Sequence, residues 1–197
     1  MMLQGWQADP TLRCVWLNKR RQVPGSAVED TEAPCCSKPA TCCGVPVNAQ
    51  DGKSIISGWG DGKIRAFGPQ TGKLLYTIND AHQKAVTAIA CMSDSSRIIS
   101  GGEEGLVRVW RIGKQSQALE ASMKDHRGAV NAIRIRRSDN ECVSASSDGS
   151  CIIWDLRTYR RRMSLFANTF FKSVVYHPDE SQLVTTGTDR KVRGVGL

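Results

Sequence analysis

A chain of 197 residues with 40% apolar side chains is long enough and apolar enough to bury a core, which excludes a wholly disordered molecule. Its formal charge of +8 admits acidic partners, whether nucleic acid, an acidic protein surface or an anionic membrane, without choosing among them. No window approaches the roughly 18 consecutive apolar residues of a membrane-spanning helix, and Met1 to Pro10 lack a secretory pattern, so the expectation is a soluble, cytoplasmic protein with no membrane contact.

Residues 1–50 carry no sustained period of 2 or 3.6, and from Val23 to Gln50 they are rich in Pro, Ser, Ala, Cys and Gly, the composition of a loosely ordered leader. The pairs Cys35-Cys36 and Cys42-Cys43 lack the two-residue spacing that brings two thiolates to one tetrahedral ion, so no metal is expected. Asn18-Lys19-Arg20-Arg21 reads as a solvated basic stretch, and Trp6, Trp16 and Trp59 have no patterned neighbours.

From residue 51 to 197 the texture changes to short β-prone runs between turns. A first unit has Lys53 to Ser57, Lys63 to Phe67 and Leu74 to Ile78, and lacks an evident innermost strand. The second has Ala85 to Ala90, Arg97 to Gly101, Leu106 to Trp110 and Ala118 to Met123. The third has Ala129 to Ile135, Cys142 to Ser146, Cys151 to Asp155 and Met163 to Ala167, with Arg160-Arg161-Arg162 in the turn before its last strand. A fourth has Ser173 to Tyr176, a turn at His177-Pro178-Asp179-Glu180, Gln182 to Thr186 and the start of a third strand at Lys191-Val192-Arg193. The separations of 43 residues from Phe67 to Trp110 and 44 from Trp110 to Trp154 match one four-stranded propeller blade. Runs such as Ile98-Ile99 and Ile152-Ile153 are apolar at both parities, which requires sheets covered on both faces. The expected fold is therefore all-β, an incomplete propeller of three to four blades, and Cys91, Cys142 and Cys151 are expected as reduced core residues.

Each complete unit sets a His before its first strand, a Ser in its second, an acid in the following turn and a Trp at the end of its third: His82, Ser100, Glu104 and Trp110, then His126, Ser144, Asp148 and Trp154. Carboxylate, imidazole and hydroxyl are also the parts of a hydrolytic triad. A set recurring in every blade is better explained as a buried hydrogen-bond network with the indole N–H as an end donor, so no catalytic residue and no cofactor is expected. Glu104 is longer than Asp148 at the same place in the third unit and is expected to weaken its network, and Phe67 has no hydrogen to donate.

Asp125-His126 followed by Val143-Ser144-Ala145-Ser146-Ser147-Asp148-Gly149 and Ile152-Ile153-Trp154-Asp155 resembles the WD-repeat pattern. More closely, Gly52-Lys53-Ser54-Ile55-Ile56-Ser57, Asp61 to Phe67, Val86 to Ala90 and Gly187 to Lys191 resemble the cilia- and flagella-associated protein 52 family of ciliary WD-repeat proteins, from about Asp51 to Val192. That resemblance implies a non-enzymatic structural protein of the axoneme, associated with the lumen of doublet microtubules and supporting motility, with tubulin and axonemal proteins as partners. Family members are longer and have two propellers, so the chain reads as a truncated or variant form whose blade faces need the remainder of a propeller or another chain. The alternative is a general WD-repeat adaptor for cytoplasmic complexes. Nucleic-acid binding, prompted by Arg134 and Arg136, which as alternate residues are expected to share one strand face, with Arg137 and Arg160 to Arg162, is set aside because basic propeller loops are ordinarily solvated or protein-contacting.

Overall fold

The computed structural model describes residues 47–48, 52–113 and 116–197, and they form four antiparallel sheets with no helix among them. The leader before residue 47, with its cysteine pairs, Asn18 to Arg21, Trp6 and Trp16, lies outside the described residues. The first sheet orders β1 (Val47–Asn48), β2 (Ile55–Gly58), β3 (Ile64–Phe67) and β4 (Leu74–Ile78). The second orders β5 (Val86–Cys91), β6 (Arg97–Gly102), β7 (Val107–Ile112) and β8 (Gln117–Met123), and the third β9 (Val130–Ile135), β10 (Glu141–Ser146), β11 (Ser150–Asp155) and β12 (Arg160–Phe166). The fourth holds β13 (Phe171–Tyr176), β14 (Gln182–Gly187) and β15 (Val192–Gly196).

Three expectations are corrected. The first sheet has an innermost strand, because Val47 and Asn48 pair with Ile56 and Ile55, so the sheet reaches back across the boundary expected at residue 50. Arg160 to Arg162 lie in β12 rather than in a turn, since the outermost strand of a sheet can hold consecutive charges at its exposed edge. Arg136 lies beyond the end of β9 and shares no strand face with Arg134.

The apolar residues of both parities are spent between sheets. Ile56, Ile64 and Ala66 of the first sheet pack with Ile89, Ile98 and Trp110 of the second. Ile99, Val107 and Val109 on the other side of the second sheet pack with Val130, Ile133 and Trp154 of the third. Val143, Ala145 and Ile153 then meet Phe171, Val174 and Leu183 of the fourth. Full burial of each Val, Ile, Leu or Phe among them contributes about 1.5–3 kcal/mol, so stability resides chiefly in the stacking of one sheet on the next. Approach is close: a Cβ at Gly101 would lie 2.6 Å from Val130 Cγ1.

The sheets are also fastened along both rims. On one rim, loops leading into a sheet bond to turns of the sheet before and to the turn between that sheet's own second and third strands, as in His82 N–H to Gly62 O, Ser147 N–H to Ala129 O and Thr188 N–H to Phe170 O. On the opposite rim, Asp139 accepts from the N–H of Ser93 at 3.1 Å, and Glu180 accepts from the N–H of Arg137 at 2.8 Å. Asp139 and Glu180 occupy the same turn position in successive sheets, with φ of 55° and 59°, and each reaches back to the turn of the preceding sheet. No helix among the described residues is long and apolar enough to cross a membrane.

Candidate functional site

In the third sheet the four residues singled out by the sequence meet in one chain of hydrogen bonds. His126 precedes β9, Ser144 lies in β10, Asp148 follows in the turn and Trp154 lies in β11. His126 Nδ1 is 3.1 Å from Asp148 Oδ2 and 2.9 Å from Ser150 Oγ, and Nε2 is 2.7 Å from Ser144 Oγ. The Trp154 indole N–H donates to Ser144 Oγ at 2.7 Å. A carboxylate only accepts, so the proton sits on Nδ1, and Nε2 accepts the Ser144 hydroxyl hydrogen. Burial holds His126 below the ordinary imidazole value, against the opposing pull of Asp148. Burial also works to raise Asp148, but hydrogen bonds from Ser150 and from the N–H of Arg127 outweigh it and keep the carboxyl below its usual value.

The second sheet repeats this with one alteration. His82 Nδ1 is 2.6 Å from Glu104 Oε1, Nε2 is 2.7 Å from Ser100 Oγ, and the Trp110 indole donates to Ser100 Oγ at 3.0 Å. The longer acid keeps the imidazole contact, while its second oxygen, Glu104 Oε2, is buried without a hydrogen-bond partner. Burial again holds His82 below the ordinary imidazole value. Ser144 and Ser100 are fully enclosed, so neither hydroxyl presents a free side to a substrate carbonyl; the arrangement ties a loop, a strand and a turn together.

The outer units depart further. In the first sheet Phe67 holds the Trp place, and the indole of Trp59 instead donates to Ser57 Oγ at 2.9 Å. The Arg65 guanidinium lies over the Trp59 ring, 4.6 Å from its centroid, and pairs with Asp61 at 2.6 Å, which holds that carboxyl below its usual value. Trp59 thus has structured neighbours that the sequence pattern did not reveal. In the fourth sheet Thr185 takes the Ser place, Ala167 the His place and Val195 the Trp place, and Thr185 Oγ1 is buried without a hydrogen-bond partner. Asp189 keeps its turn position and pairs with Arg193, which holds its carboxyl at about 2.

The remaining candidates fall into structural places. His177 Nδ1 is 2.6 Å from Asp179 in an exposed turn. Arg134 donates to the carbonyl of Ile133, Arg136 pairs with Glu141 and Glu180, Arg161 with Asp125, and Arg162 with Glu141. Cys91, Cys142 and Cys151 are buried, and burial pushes the Cys151 thiol up to about 12. Among the described residues no group of His, Cys, Asp and Glu is arranged to hold a metal ion.

The family model WDR54 matches residues 7–165, a stretch that includes most of the segment read above as a leader. Cilia- and flagella-associated protein 52 of Chlamydomonas reinhardtii is 80% identical over 142 residues, covering 72% of this chain and 23% of that protein. The human protein of that name is 58% identical over 152 residues, covering 77% of this chain and 24% of its own length. The small ribosomal subunit protein RACK1 of Neurospora crassa is 33% identical over 82 residues, 42% of this chain and 25% of that protein. The chain therefore spans about a quarter of the length of the curated relatives it matches. A solved structure of U3-55K superimposes with a TM-score of 0.68 at 24% identity, covering 80% of this chain and 49% of that one, which establishes the shared fold.

Proposed function

The chain belongs to the WDR54 family and is homologous to cilia- and flagella-associated protein 52, and from that premise we propose that it is a non-enzymatic structural protein of the ciliary or flagellar axoneme. Within that reading it is associated with microtubules as an inner protein, contacts tubulin and neighbouring axonemal proteins, and supports motility. The observation that carries the proposal is the 80% identity to the Chlamydomonas reinhardtii relative over 72% of this chain. The buried networks of the second and third sheets support a scaffold role, because their polar groups are spent on holding turns rather than on a substrate.

The propeller segment runs from Val47 to the end of the chain, with the preceding residues as a leader. Val175 and Val192 on the outer side of the fourth sheet are exposed, which supports covering of that face by a further sheet of a longer protein or by another chain. The test is fractionation of the tagged full chain in ciliated cells. Retention in the detergent-insoluble axoneme is expected; a wholly detergent-released chain rejects the proposal, and a pull-down dominated by ligase or kinase subunits favours the adaptor.

A further inference from the structure

We propose that the junction of the third and fourth sheets carries a docking surface for an acidic protein segment with an apolar side chain, formed by Phe166, Phe170, Lys172, Arg190 and Lys191. The proposal rests on the protein-scaffold reading above and names one of its contact surfaces. Phe166 ends β12 and Phe170 closes the following loop, and they are 77% and 58% exposed. That loop is bonded to the turn after β14: Thr188 N–H donates to Phe170 O at 3.0 Å, Phe170 N–H to Thr188 Oγ1 at 3.2 Å, and Asp189 N–H to Thr169 Oγ1 at 3.3 Å. Arg190 and Lys191 follow in the same turn, and Lys172 stands next to it in β13, where Phe171 pairs with Gly187. All three cations are exposed. Asp189, the carboxylate within the cluster, is already taken by Arg193. Two phenyl faces beside three uncompensated cations match an acidic segment carrying an aliphatic or aromatic residue.

Arg190 distinguishes this turn from its counterparts. The matching position is Gly62, Gly105 and Gly149 in the first three sheets, with φ of 76°, 85° and 83°, and Arg190 adopts φ 60°, a left-handed conformation that L residues enter at a cost. At each glycine the next sheet's incoming loop lies where a Cβ would be, with His82 O at 2.2 Å, His126 O at 2.7 Å and Ala167 O at 2.8 Å. Arg190 has that Cβ, so an incoming loop cannot close over this turn in the same way. A further sheet can therefore cover Val175 and Val192 while the Arg190 turn remains open. The footprint favours a short protein segment over a nucleic acid. The basic run Arg160 to Arg162 lies at the opposite end of β12 from Phe166, and Arg161 and Arg162 are paired to Asp125 and Glu141, so that run does not extend the patch into a longer track.

The test is fluorescence polarisation with the purified full chain and a synthetic peptide of about twelve residues repeating Glu-Glu-Leu-Glu. Binding that weakens with salt is expected, with a loss of at least about tenfold for Lys172→Glu/Arg190→Glu/Lys191→Glu and a measurable loss for Phe170→Ser, which leaves the charge unchanged. Arg190→Gly removes the cation and relieves the backbone, so it should weaken binding in a chain at least as stable as the parent. The proposal is overturned by no binding, by equal binding of the Gln-for-Glu peptide, by indifference to these substitutions, or by tighter binding of an oligo-dT of similar length. In the fractionation assay, equal axonemal retention of the parent and the triple variant defeats the docking surface alone, whereas release of the parent defeats the axonemal reading and leaves the peptide result standing.

Discussion

Replacing Gly102 with Ser tests whether the long acid of the second sheet and the bare backbone beside it are one adaptation. A Cβ at Gly102 would lie 2.3 Å from His82 Nδ1 and 2.4 Å from Glu104 Oε2. The new Cβ overlaps both the sealed imidazole and the carboxylate at the tip of Glu104, so the pair must separate or shift together, and the carboxylate has the greater freedom to move. Moving it breaks the 2.6 Å bond to His82 and strips a buried N–H of its acceptor, a loss of about 2–3 kcal/mol for a charge-assisted bond. Glu104→Asp alone shortens the reach and costs about 1 kcal/mol. The two changes together recreate the third sheet, where Ser146 Oγ accepts from the N–H of Asp148 at 3.2 Å and donates to Gly128 O at 3.0 Å. A double-mutant cycle on the full chain, measured by urea unfolding, should give a coupling of at least about 1.5 kcal/mol. Additive single effects, within about 0.5 kcal/mol, would refute the linkage between the two positions.

Thr185→Val removes a buried hydroxyl that has no hydrogen-bond partner while keeping the branched shape, and should raise stability by about 1 kcal/mol in the same unfolding assay. Trp154→Phe should cost about 2–3 kcal/mol, since it withdraws a buried donor from Ser144, whereas Trp59→Phe, at a half-buried site, should cost about 1 kcal/mol; equal costs would contradict the graded burial of the two indoles. His82 and His126 both have folded-state values below the ordinary 6.5, so the unfolded chain takes up these protons first as pH falls. Their contribution is complete above that value and is lost as pH drops from it toward the folded-state values. The imidazole C–H resonances of His82 and His126 should accordingly titrate below 6.5, and midpoints above it would overturn the burial argument.

Most of the strands, the turns and the two recurring His, Ser, acid and Trp sets were legible because each rests on residue type at a fixed offset. A positive-φ glycine, a run apolar at both parities and a Trp ending a strand are local signals, and the stacking that makes them cooperate repeats at each blade. What was not legible depends on contacts that carry no period. Val47 and Asn48 are too few to show alternation, and only pairing with Ile56 and Ile55 makes them a strand. Trp59 looked isolated because its partner Ser57 is a place the pattern assigns to the indole of a different residue, and Phe67 at that place hid the exchange. Nothing in the spacing of Asp139 and Glu180 marks them out, and their reach across to the preceding sheet appears only once the sheets are stacked.

The four sheets form a series in how completely the same buried hydroxyl is satisfied. In the third it receives an indole and gives to an imidazole, and every oxygen of the acid is engaged. The second keeps both serine bonds and leaves one carboxylate oxygen over. The first replaces the donor by a neighbouring indole, and the fourth retains only a threonine whose hydroxyl bonds to nothing. Because each sheet is stabilised mainly by its neighbours, such losses are tolerated at the cost of local stability rather than of the fold. The same fourth sheet gives up a glycine for Arg190, and two exposed phenyl rings lie at its junction with the third sheet. A unit that forgoes its own internal fastenings while presenting an uncompensated charged and aromatic edge is physically better suited to being completed by a partner than to standing as one more identical wedge.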